Sequence, residues 1–184
     1  MRAERTRDGD STLALDDRHF PVLISKWFGR PTVLLAKSYF DWLGLMIERA
    51  EFYETKAIHI LDATEAKLPN AETRRHLAQE AARMHEQFTP RGTMLQAVVT
   101  PPSELVRKLL TVVRWSLTGD AQLPLTTVAS LPEAIDDAIR RLAAAGIEAP
   151  SDLDSRYYRL DERVVNLLPE TSGASFRIVP DSDR

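Results

Sequence analysis

KAIHILDATEAKLPNAETRRHLAQEAARMHEQF, residues 56–88, decides the fold. It opens on a continuous apolar run, residues 56–63, of the kind carried by a strand covered on both faces. The polar stretch after Asp62 leads to Asn70, whose side chain can accept hydrogen bonds from the free amides of a helix start. From there Leu77, Ala78, Ala81, Met84 and Phe88 follow helical spacing, with Glu72, Arg75, Glu80, Arg83, Glu86 and Gln87 on the other side. A buried strand feeding an amphipathic helix is half of a βαβ unit and predicts a parallel sheet.

Upstream, FPVLIS (residues 20–25) and PTVLLAK (residues 31–37) read as two strands around a turn at Gly29. Runs this close predict an antiparallel hairpin. Ser38 fits an N-cap with Asp41 three residues on, and the spacing of Tyr39, Trp42, Leu43, Met46, Ile47, Ala50 and Tyr53 predicts a helix over residues 39–54. Downstream, Pro90 and Gly92 end the 70–88 helix. A strand over 94–100, a helix over 104–117 and a strand over 125–130 follow. A last helix runs from a capping box at Ser130 and Glu133 to a stop at Gly146, and SFRIVP (residues 175–180) reads as a short strand. The expected fold class is α/β: a mixed sheet of about five strands, an N-terminal hairpin followed by βαβ units, with about four helices. Residues 1–18 are polar and predict a flexible N-terminal arm. Residues 19–148 form the domain, and 149–184 read as a polar, partly disordered C-terminal tail.

The 184 residues are 43% hydrophobic and 28% charged, with a net charge of −3. That balance suits one globular domain and offers no basic footprint for nucleic acid. There is no cysteine, which excludes disulfides, thiolate metal sites and a cysteine nucleophile. No apolar run approaches the roughly 20 residues of a membrane-spanning helix, and no secretory signal opens the chain, so the expected location is cytoplasmic. The phosphate-cradling glycine motifs and the G-x-S-x-G elbow are missing. His76 and His85 share a helix but point about 180° apart, so no metal site is expected, and no cofactor is implied.

Asp62 and Thr64 fall at the carboxyl end of a predicted strand, where open α/β sheets bind ligands. Asp62 there could serve a site, binding a metal or orienting a substrate, or it could bond the amides of its own loop. Arg74 and Arg75 sit beside the helix start at Asn70, an arrangement suited to an anionic partner surface. The 104–117 helix carries Leu105, Val106, Leu109, Leu110, Val112, Val113 and Trp115 around much of its circumference, so a tail, a partner subunit or an apolar ligand is expected to cover it. Nucleophile, base and orienting group cannot all be nominated, so a non-enzymatic role is expected.

The opening hairpin, the strand ending ILDAT (residues 60–64), the helix from Asn70, the strand AVVTPP (residues 97–102) and the closing SLPEAI (residues 130–135) resemble STAS domains, which include bacterial anti-sigma factor antagonists related to SpoIIAA. The resemblance implies a regulatory signalling module that binds a protein such as a regulatory kinase or scaffold, or a second copy of itself. It places the binding surface on Asp62, Thr64, Asn70, Thr73, Arg74 and Arg75. Ala71 stands where the family carries its phosphorylated serine, so that switch is lost, and Thr73 and Thr64 are the remaining candidate phosphosites. The alternative function is small-ligand or lipid binding at an apolar site under the 39–54 and 104–117 helices.

Overall fold

The computed structural model describes residues 2–88, 94–99 and 125–171. Six strands form one mixed sheet in sequential order: β1 (Ala3–Asp8), β2 (Ser11–Asp16), β3 (Val22–Gly29), β4 (Ala57–Ala66), β5 (Met94–Val99) and β6 (Leu125–Val128). β1, β2 and β3 pair antiparallel, and β3 to β6 pair parallel. Four helices are described: α1 (Val33–Phe52), α2 (Ala71–Phe88), α3 (Leu131–Ala144) and α4 (Glu162–Leu167). The chain is therefore α/β with a mixed sheet, as expected, but with six strands among the described residues rather than about five. The expected 104–117 helix and 175–180 strand lie outside the described residues.

Helices cover both faces of the sheet. On one face Leu13, Leu15, Leu23 and Trp27 meet Leu35, Tyr39, Trp42, Ile47 and Ala50 of α1 and Met84 of α2. On the other, Ala14, Ile24, Ile58, Ile60 and Val128 meet Ala134, Ile135, Ala138 and Leu142 of α3. Ile58 and Ile60 face α3 while Ala57 faces α1, so the continuous apolar run of β4 reflects burial on both sides.

Residues 1–18 are not a flexible arm. They form β1 and β2, joined by a two-residue loop in which Gly9 has φ 58°. All of β2 is buried, because Leu13 and Leu15 point under α1 while Ala14 points to the opposite face. Few apolar residues suffice here because each one is wholly enclosed. The hairpin partner of β3 is thus β2, not residues 31–37. Those residues begin α1: the Thr32 side chain accepts the Leu35 amide at 3.3 Å, and the i, i+4 stripe of α1 starts at Leu35. Ser38 is an interior helix residue whose hydroxyl donates back to Leu34 O at 3.2 Å. Gly29 closes β3 at φ 74°, and a Cβ there would lie 3.0 Å from Asp10 O, so the β1–β2 loop packs against it as only glycine permits.

Residues 149–171 are likewise part of the domain rather than a loose tail. Leu153, Leu160 and Val165 complete the core on the α3 face. The Tyr158 hydroxyl donates to Asp16 Oδ2 at 2.9 Å, and Arg18 grips the same carboxylate through Nε at 3.0 Å and Nη2 at 2.7 Å. Burial, reinforced by Asp16, pushes the Tyr158 phenol well above its ordinary range. The segment ends beside β1, where the Arg5 amide donates to Pro169 O at 3.0 Å and the Thr171 amide donates to Arg5 O at 2.9 Å. This covers part of an otherwise open sheet edge.

Glu4, on β1, is enclosed at the same end of the sheet with its Oε2 2.7 Å from Arg2 Nε. Burial raises its carboxyl above the ordinary value of 4.5; Arg2 opposes the rise and Asp17 adds to it. A raised folded-state value makes the contribution of this group to stability complete below the unfolded value and lost as pH rises through the folded one. Glu4→Gln is therefore expected to raise the thermal midpoint at neutral pH, with the advantage vanishing as the pH falls to about 4. Midpoints of both proteins measured across that interval check this; a gap that widens toward acid contradicts it.

Candidate functional site

The carboxyl half of β4 carries the expected site, and one irregularity shapes it. Lys26 of β3 pairs in register with Asp62, yet Phe28 pairs with Glu65, so β4 spends one residue more than β3 over this interval. Regular alternation would put residues 62 and 65 on opposite faces. The extra residue returns Glu65 to the face of Asp62. Both carboxylates then reach one ammonium: Lys26 Nζ lies 3.3 Å from Asp62 Oδ2 and 2.9 Å from Glu65 Oε1. Asp62 also fixes the local backbone, accepting the Thr64 amide at 2.9 Å and the Thr64 hydroxyl at 2.6 Å on Oδ1.

Lys26 is only 8% exposed and Asp62 1%, so this is a buried ion network. Burial pulls the Lys26 ammonium down, but Glu65 and Asp62 together outweigh it and hold the group above its ordinary value. Nζ also lies 5.1 Å from the centre of the Phe28 ring. Of the two roles open to Asp62 in the sequence, the geometry supports bonding within its own chain: Oδ1 serves Thr64 and Oδ2 serves Lys26. Lys26 and Glu65 were not legible as site residues. The sole signal was a lysine inside the apolar run of β3.

The second half of the site is the start of α2. Asn70 caps it, its Oδ1 accepting the Thr73 amide at 2.8 Å and its backbone oxygen the Arg74 amide at 3.0 Å. Thr73 is 1% exposed, so its hydroxyl is turned into the protein and is closed to a modifying enzyme while the helix start holds. The Thr64 hydroxyl is engaged by Asp62, and a phosphate there would stand beside that carboxylate. Neither threonine is presented as a phosphate acceptor. Ala71, Arg74 and Arg75 are exposed, and neither arginine has an ion-pair partner among the described residues. Further along, Arg83 and Glu80 pair with each other at 2.8 Å.

Beneath α1, Ser25 Oγ and His59 Nε2 are 2.9 Å apart. Both are buried, and the ring of His59 packs against Tyr39 and Trp42. Burial holds His59 down to about 3, so it is a neutral, hydrogen-bonded core residue at ordinary pH. Among the described residues no group of three or more histidine, aspartate or glutamate side chains could hold a metal ion, and no helix is long and apolar enough to cross a membrane. Of the two helices expected to cover an apolar ligand site, 39–54 and 104–117, the second lies outside the described residues. No protein-family model matches the chain, and no curated protein is significantly similar to it.

Proposed function

We propose that this chain is a non-enzymatic, regulatory protein-interaction module of STAS type that engages a partner protein through the start of α2. The observation that carries the reading is the presentation of that helix start. Asn70 holds it rigid, and it offers Arg74 and Arg75 to solvent with no ion-pair partner among the described residues. Uncommitted guanidinium groups on a fixed helical frame suit carboxylates or phosphate on another molecule. Asp62 and Thr64 act behind this surface, shaping the turn out of β4 rather than touching the partner. An α/β chain with a mixed sheet is compatible with this reading. With Ala71 at the helix start, the module works without a serine switch. Its partner class is a regulatory kinase or a scaffold protein, and the setting is the bacterial cytoplasm.

Arg75→Glu is expected to lower capture of that partner from extracts of the source cell by about tenfold or more. The side chain is exposed, so the unfolding free energy should stay within about 0.5 kcal/mol of the parent. Quantitative affinity capture with both proteins is the measurement. Equal recovery of every bound protein would overturn this surface.

A further inference from the structure

The end of the sheet that carries the α2 start also carries the α1 start, and the two loops leading to them touch. Gly29 and Ala66 are register partners at the ends of β3 and β4, and the Lys67 amide donates to Gly29 O at 2.7 Å. Arg30 and Lys67, each one residue beyond its strand, therefore stand side by side, both exposed. Three residues on from Arg30, α1 opens with Val33 and Leu34, 36% and 41% exposed on a helix whose other apolar side chains are mostly buried. Lys37 lies one turn further along the same exposed side and makes no ion pair with Asp41, its i+4 neighbour. Arg30, Lys37 and Lys67 have no carboxylate partner among the described residues, and the first turn of α1 holds no acidic residue. Glu65, the exposed carboxylate of β4 at this end, is held by Lys26.

A small aliphatic centre with a cationic rim, on a chain whose net charge is −3, has a specific complement. We infer that Val33 and Leu34, ringed by Arg30, Lys37 and Lys67, seat an acidic segment of the partner protein that carries aliphatic side chains. The inference rests on the protein-interaction reading above and extends its surface from the α2 start across to α1. The aliphatic pair supplies burial that salt cannot screen. The three cations supply complementarity that salt weakens. A partner with acidic residues but no aliphatic side chain would use only half of the surface.

The test uses the full chain and a short labelled peptide of glutamate and aspartate with two central leucines, followed by fluorescence anisotropy at low and physiological salt. The peptide should bind, and more weakly as salt rises. Binding should fall about tenfold or more in R30E/K67E, and several-fold in Leu34→Ser or when serines replace the peptide's leucines. A lysine version of the peptide should not bind. The substituted positions are exposed, so an unchanged unfolding midpoint separates lost binding from lost folding. Equal binding by R30E/K67E and the parent overturns the inference. So does a parent chain that ignores the peptide, whether or not it binds phosphatidylserine vesicles. The two readings fail separately: a native partner lost by Arg75→Glu but kept by R30E/K67E sinks the α1 extension alone, and the reverse pattern sinks the α2 surface alone.

Discussion

Deleting residues 1–18 is expected to abolish cooperative folding. The segment supplies β1 and β2, and β2 is the antiparallel neighbour of β3 along Thr12–Asp16. Leu13 and Leu15 are wholly enclosed between the sheet and α1, and burying each contributes about 1.5–3 kcal/mol. Ala14 closes the opposite face. The deletion also removes Asp16 and Arg18, and with them the carboxylate that Tyr158 and its segment are tied to. Arg5, whose amide and carbonyl hold residues 169–171, goes as well. Set against a total stability of about 5–15 kcal/mol for a domain, the two leucines alone are a large share. The truncated chain should therefore melt without a sharp transition in circular dichroism, and its amides should exchange nearly unprotected. A polar arm detached from the fold would leave both measurements unchanged, so a truncated protein that melts cooperatively near the full-length midpoint would refute the structural role of this hairpin.

That segment also marks where local patterns stop carrying information. The strand and helix of residues 57–88 were legible because a two-sided apolar run and a 3.6-residue period are strong, local signals. The helix at Leu131–Ala144 was legible from its capping box, and the Ser130 side chain does accept the Glu133 amide at 3.3 Å. β1 was not legible, because Glu4, Thr6 and Arg5 are polar and become buried or half-buried only when α1 and the 162–171 segment arrive from far along the chain. The Asp-Gly pair at residues 8–9 was the one local hint of a hairpin. The start of α1 reads as a strand because VLLA is apolar enough for one, while the capping role of Thr32 shows only once Leu35 is known to begin the buried stripe. The site divides in the same way. Asn70, Arg74 and Arg75 follow from helix-start chemistry. The meeting of Lys26 with Asp62 depends on parallel register, and that of Lys26 with Glu65 depends on a single extra residue in β4, neither of which a linear reading supplies.

Lys26→Met should be among the costliest single substitutions in the sheet. Methionine fits the length of the lysine stem, so packing is largely kept while the charge is removed. Asp62, 1% exposed, would then keep the two Thr64 donors on Oδ1 but have no cation on Oδ2. Removing one member of a buried ion pair costs about 3–5 kcal/mol, chiefly through the charge left behind. Glu65, about half exposed at its side chain, can turn to water and adds little. Asp62→Asn separates the two jobs of the aspartate. The amide oxygen can still accept from Thr64, so the irregular turn in β4 is kept, and Lys26 retains Glu65; the expected loss is smaller than for Lys26→Met. In the double variant no uncompensated charge is buried, so its loss should fall well short of the sum of the single losses, by about 1–3 kcal/mol. Urea unfolding of the four proteins gives the cycle directly. Strict additivity would mean that Lys26 and Asp62 are neighbours without being partners. A large coupling would identify the ion network as what holds the end of β4, and hence the approach to Asn70 and α2, in one conformation.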